Sequence, residues 1–135
     1  MVTYLSNEWL DRLRSAAQAD DALRAAATGA ELTLQQVVTD APGGDVSYYV
    51  TFDDGEVFVQ AGTVREPSVT FTQDYRTAVG VARGQLNALD ALRDGRVMLV
   101  GDPTVLQERT DALAALDAVF SEVRAETEYP EPTRG

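Results

Sequence analysis

The hydrophobic pattern changes period near Glu31, and that change constrains the fold more than any other feature of the chain. Before it, Trp9, Leu10, Leu13, Ala16 and Ala17 recur at helical spacing, with Arg12 and Arg14 off the stripe. After it, apolar residues alternate with polar ones. Leu32, Leu34, Gln36 and Val38 share one face of a strand, and Val46, Tyr48, Val50 and Phe52 share one face of the next. A chain that begins with helices and then runs into half-buried strands must lay those helices against a sheet.

The punctuation between these runs sets the element order. Ser6 or Asn7 can cap the first helix, and Asp20-Asp21 precede a second short one that Thr28-Gly29 closes. Asp40 to Asp45 reads as a turn, and Asp53-Asp54-Gly55 as a hairpin signal before the strand carrying Val57, Val59 and Ala61. Ser68 to Phe71 gives a fourth strand, and four consecutive strands joined by short turns read as an antiparallel meander. Thr72 or Asp74 then opens a helix that Gly84 stops, and a shorter helix ends at Gly95. Arg96 to Val100 forms a fifth strand. Asp102-Pro103 opens a last helix of about 20 residues whose stripe is Leu106, Leu113, Leu116, Phe120 and Val123. The fold class expected is α+β: two layers, with a five-stranded, mostly antiparallel sheet covered on one face by helices. One domain is expected over residues 1–126, and residues 127–135, with Pro130 and Pro132, are expected to form a flexible tail. On this register Gln36 is a buried polar group that needs a partner.

Composition narrows the function. Twenty-two acids face eleven bases, all of them Arg, for a net charge of −11. A chain this acidic has no basic patch for a phosphate backbone, so nucleic acid and anionic membrane surfaces are poor partners. Nothing in it approaches the ~18 consecutive apolar residues of a membrane span, so no stable membrane insertion is expected. The first residues do not read as a secretory signal, and a cytoplasmic location follows as the default. Arg and Val in place of Lys and Ile point to a GC-rich, bacterial-type source.

Cys and His are absent, and so is Lys. Without them thiolate and Schiff-base nucleophiles, the commonest general acid/base and zinc sites of N/S type are all excluded. The serines at 6, 15, 47, 68 and 121 sit in no nucleophile-elbow pattern, and no phosphate-binding glycine motif is present. Asp53-Asp54-Gly55-Glu56 lacks the ligand spacing of a calcium loop and is accounted for by the hairpin. A carboxylate pair or a tyrosine acid stays open, but the expectation is of no enzyme, no cofactor and no metal.

Several joints carry a resemblance. Val69-Thr70-Phe71-Thr72-Gln73-Asp74-Tyr75 is followed by Arg83-Gly84-Gln85-Leu86-Asn87-Ala88 and by Leu92 to Asp102, which ends Val100-Gly101-Asp102. In this order they resemble the sterol carrier protein type two family, the sterol-binding domains, and the chain looks like a stand-alone bacterial-type member. The resemblance covers about Trp9 to Glu126. It implies a tunnel between sheet and helices for a fatty acid, acyl chain or sterol-like ligand, with no metal and no catalytic residue. Family members often carry Lys near the tunnel mouth, and this chain has none.

The resemblance makes ligand-facing candidates of Tyr48, Val50, Phe52, Val59, Phe71, Tyr75, Val79, Leu89, Leu106, Leu113, Leu116 and Phe120. The same side chains would equally serve an ordinary packed core. Tyr48 and Tyr49 must face opposite sides of their strand, so only one can see the helices. Two functions therefore stand: binding and transfer of an apolar, lipid-like ligand, or an accessory domain with a filled core that meets a protein partner.

Overall fold

The computed structural model describes residues 1–130, with the side chains of Ala88 and Leu89 excepted. Its elements are β1 (Val2–Thr3), α1 (Asn7–Ala19), α2 (Asp21–Ala27), β2 (Glu31–Thr39), β3 (Val46–Asp53), β4 (Glu56–Ala61) and β5 (Val69–Asp74). There follow α3 (Tyr75–Ala82), α4 (Ala88–Arg93), β6 (Val97–Gly101), α5 (Thr104–Gln107), α6 (Thr110–Arg124) and β7 (Thr127–Glu128).

Side-chain caps start the helices where the sequence places them. Ser6 Oγ accepts from Trp9 N at 3.1 Å, Asp20 Oδ1 from Leu23 N at 2.8 Å, and Asp74 Oδ1 from Thr77 N at 2.8 Å. Between β3 and β4 the two loop residues Asp54 and Gly55 both have positive φ, 46° and 91°. That is the backbone a twisted two-residue hairpin requires. Asp54 also accepts from Gly29 N at 2.7 Å, which ties the hairpin to the end of α2.

The main sheet has the order β4-β3-β2-β5-β6. Three of its four pairings are antiparallel, but β2 and β5 run parallel. The expected four-strand meander therefore stops after three strands. The reason lies in levels. Ala61, the end of β4, is level with Tyr48 and hence Gln36, while Val69, the start of β5, is level with Leu34. The connection must cross three inter-strand gaps of about 4.8 Å and slip back by two residues. The seven residues Gly62–Ser68 can extend to roughly 23 Å, so no crossover helix is needed.

That connection passes over the face opposite the helices and explains a second difference. The fully buried glutamine is Gln35, not Gln36. Gln35 is 3% exposed and points to the outer face, where its Nε2 donates to Tyr48 O and Gly62 O, each at 3.0 Å. Its Oε1 accepts from Val64 N at 2.8 Å. Gln36 is half-buried on the helix side, where its Oε1 accepts from Gln73 Nε2 at 3.2 Å.

The inner face divides in two. Over its β4 end, α1 and α2 close a tight core that holds Leu13, Leu23, Val50, Phe52, Val57 and Val59. Over β2, β5 and β6 lie α3, α4 and the C-terminal helices. The single long last helix expected from the stripe is broken between α5 and α6. The polar run Gln107-Glu108-Arg109-Thr110 offers nothing apolar to hold against the sheet, and Arg109 Nη2 instead donates to Gly29 O at 2.8 Å. The residues after Glu126, expected to fray, make specific contacts as far as Pro130. β7 pairs in parallel with β1, through Val2 N to Glu126 O and Tyr4 N to Glu128 O, both 2.8 Å. Tyr75 Oη donates to Pro130 O at 2.6 Å.

Candidate ligand cavity

Small side chains on α3 create the cavity. Its inward positions Ala78, Val81 and Ala82 follow the i, i+3, i+4 spacing of one helical face, and all three line the space. The facing wall is a single stripe along α5 and α6: Leu106, Leu113, Asp117, Phe120 and Arg124. Gln36, Tyr48, Phe71, Gln73 and Val97 form the sheet side, with Leu92 of α4 and Tyr4 completing the lining. The space, partly open to solvent, is about 410 Å³, within the range of small-molecule sites.

Aromatic rings close one end. Tyr4 meets Trp9 edge-to-face at 4.9 Å, and Trp9 meets Tyr48 in the same way at 5.4 Å. Burial pushes the Tyr48 hydroxyl well above its ordinary value of 10.0. Burial, and after it the neighbouring Tyr48, does the same to Tyr4. Both stay neutral, so the lining presents them as hydroxyls and not as charges. The other polar groups are the Gln36–Gln73 amide pair, Asp117, which is exposed, and Arg124. Arg124 Nη2 donates to Ser121 Oγ at 2.6 Å, while its buried Nε has no hydrogen-bond partner. Among the described residues no cluster of His, Cys, Asp and Glu is placed to hold a metal ion. No helix is long and apolar enough to cross a membrane, again among the described residues.

A model of the SCP-2 sterol transfer family matches residues 7–114. The chain belongs to that family. The solved structure of a sterol carrier protein 2 is similar to this SCP-2 chain, with 23% identity and a TM-score of 0.75 over 88% of it and 98% of the other. A conserved hypothetical protein of Thermus thermophilus, described in connection with sterol carrier protein, is similar at 23% identity and TM-score 0.75, over 91% of each chain. These two likenesses show the fold. A stereoselective inverting sec-alkylsulfatase of Pseudomonas sp. is similar over 69% of this chain but only 14% of its own, with 26% identity and TM-score 0.53. None of the curated proteins matches.

Of the residues expected to face a ligand in this SCP-2 domain, Tyr48, Phe71, Leu106, Leu113 and Phe120 lie on the cavity. Val50, Phe52, Val59 and Leu116 do not; they are buried in the packed core. Tyr75 is buried with its hydroxyl turned to Pro130, and Val79 borders a separate shallow depression beside Arg83 and Tyr129. The side chain of Leu89 lies outside the described residues. α1 and α2 seal the half of the sheet face that carries Val50, Phe52 and Val59. Beyond the expected residues, Tyr4, Leu92, Val97 and Asp117 also line the space, together with two instructive groups. Gln73 and Arg124 were readable, being two residues from Phe71 on a strand and four from Phe120 on a helix. Ala78, Val81 and Ala82 leave room by being small, so no apolar bulk marks them in the sequence.

Proposed function

We propose that this SCP-2 family member binds, and hands on, an apolar lipid-like ligand held in the cavity between α3, α6 and the sheet: a fatty acid, an acyl chain or a sterol-like molecule. The observation that carries this reading is the 410 Å³ space walled by Phe71, Val97, Leu106, Leu113 and Phe120. The driving force is burial. Each methylene moved out of water contributes about 0.8 kcal/mol, so ten of them approach the free energy of a micromolar complex without strong polar anchors. Among the described residues the lining supplies no nucleophile–base pair, and holding the ligand needs no catalytic step. Release needs a transient opening, for which the joint Gly84–Asn87, free of regular structure between α3 and α4, is the natural place.

Native mass spectrometry of the freshly purified protein, followed by organic extraction, tests the reading. One lipid-like molecule per chain is expected. A clean unliganded mass that stays unchanged after incubation with fatty acids, sterols and acyl esters would overturn it. The sulfatase likeness favours a second reading, that the same domain serves as an accessory module beside a larger catalytic unit. Co-purification of one protein partner with no lipid would favour that alternative.

A further inference from the structure

Arg124 is half-buried, and its Nε is wholly out of water. The chain has twice as many acids as bases, yet among the described residues no carboxylate pairs with this guanidinium, the ion pairs being Arg12–Glu126 and Arg14–Asp11. Its side-chain hydrogen bond is the one to Ser121, and Nε is left buried without an acceptor. An unsatisfied buried donor is costly, more so when charged. Space is kept for the group as well. Gly84 has φ +76°, and a Cβ there would lie 2.6 Å from Arg124 Nη1.

The position of the guanidinium indicates what it waits for. Arg124 lines the apolar cavity and also a broad depression on the surface, which it shares with Arg83, Glu128, Tyr129 and Pro130. It therefore stands where the apolar space meets water. Arg83 adds a second cation there, 5.8 Å from the centre of the Tyr129 ring. The remaining polar groups of the cavity are neutral hydroxyls and amides or the exposed Asp117, which repels anions. An amphiphile with its chain among Phe71, Leu113 and Phe120 would bring its head to Arg124, the one cation of the lining among the described residues. Guanidinium groups take carboxylates through short, charge-assisted hydrogen bonds.

We propose that Arg124, supported by Arg83, is the specificity-determining residue of this cavity and selects single-chain amphiphiles with a carboxylate head over uncharged ones of the same length. This rests on the lipid-binding reading and adds the choice among lipids. The test compares dodecanoate with dodecan-1-ol by displacement of a fluorescent probe at neutral pH, in low and high salt. The wild-type protein is expected to bind dodecanoate at least tenfold more tightly, with the ratio falling as salt rises. Arg124→Met should bring the ratio to within about threefold, and Arg124→Lys should restore part of it. Equal affinities in the wild type, or an undiminished ratio in a folded Arg124→Met, would overturn the selectivity while leaving the lipid reading intact. If neither compound binds the wild type, the lipid reading fails and the selectivity with it. The wild-type ratio and its salt dependence decide the matter even if the methionine variant does not fold.

Discussion

Gln35 forms no ion pair and does not line the cavity, yet it ties together β3 and the whole crossover connection through the backbone of Tyr48, Gly62 and Val64. Replacing it with Leu removes all of these bonds under a closed loop. Gln35→Leu should cost about 2–4 kcal/mol, one to two unsatisfied buried groups' worth, read as a drop in the urea unfolding midpoint. Neither its role nor its burial was legible locally. Leu32, Leu34 and Val38 fix the inner face of β2 correctly, and by that rule Gln35 belongs outside, in water; only the path of Gly62–Ser68 covers it. Small residues carry a second expectation. Ala82 is half-buried on the cavity wall, so Ala82→Leu should fill the space that a chain would occupy. Dodecanoate affinity should fall at least tenfold with the melting temperature unchanged or raised, a pair of outcomes that mere destabilisation does not produce.

At the scale of elements, the sequence was most informative where one residue does one local job. Ser6, Asp20 and Asp74 cap, and Asp54-Gly55 turns, because their chemistry is satisfied within three or four neighbours. Asp20→Ala should therefore remove a single cap bond and lower stability by about 1 kcal/mol in the same urea titration, without altering ligand binding. Partnership between distant elements was much less legible. No residue of β5 announces that it pairs in parallel with β2, since the pairing follows from where β4 happens to end. The break before α6 was hidden for a related reason. Leu106 and Leu113 stay in helical phase across it, so the stripe looks continuous although the backbone is not. The cavity belongs to this scale too: it is the gap left when a short, alanine-faced helix and a broken one share the cover of three strands.

For the molecule as a whole, the two ends of the described chain meet. β1 and β7 are joined by backbone bonds, and Arg12 grips Glu126 beside them at 2.9 Å. The Arg12 side-chain hydrogen bond holds the Glu126 carboxyl below its ordinary value. A carboxyl lowered in the folded state contributes its stability above the unfolded value and loses it as pH falls through the folded one. Hydrogen-exchange protection at Val2 and Tyr4 should thus hold at neutral pH and decline in acid below the ordinary glutamate range. The Glu126→Gln variant should show that decline already absent from its pH profile. The pairing has a mechanical side as well. Because β1 and β7 run parallel, a pull on the two ends drags one strand lengthwise past the other, so their bonds resist in shear and share the tension instead of parting one after another. If the domain is carried within a longer polypeptide, strain between its neighbours reaches this short seam before it reaches the cavity.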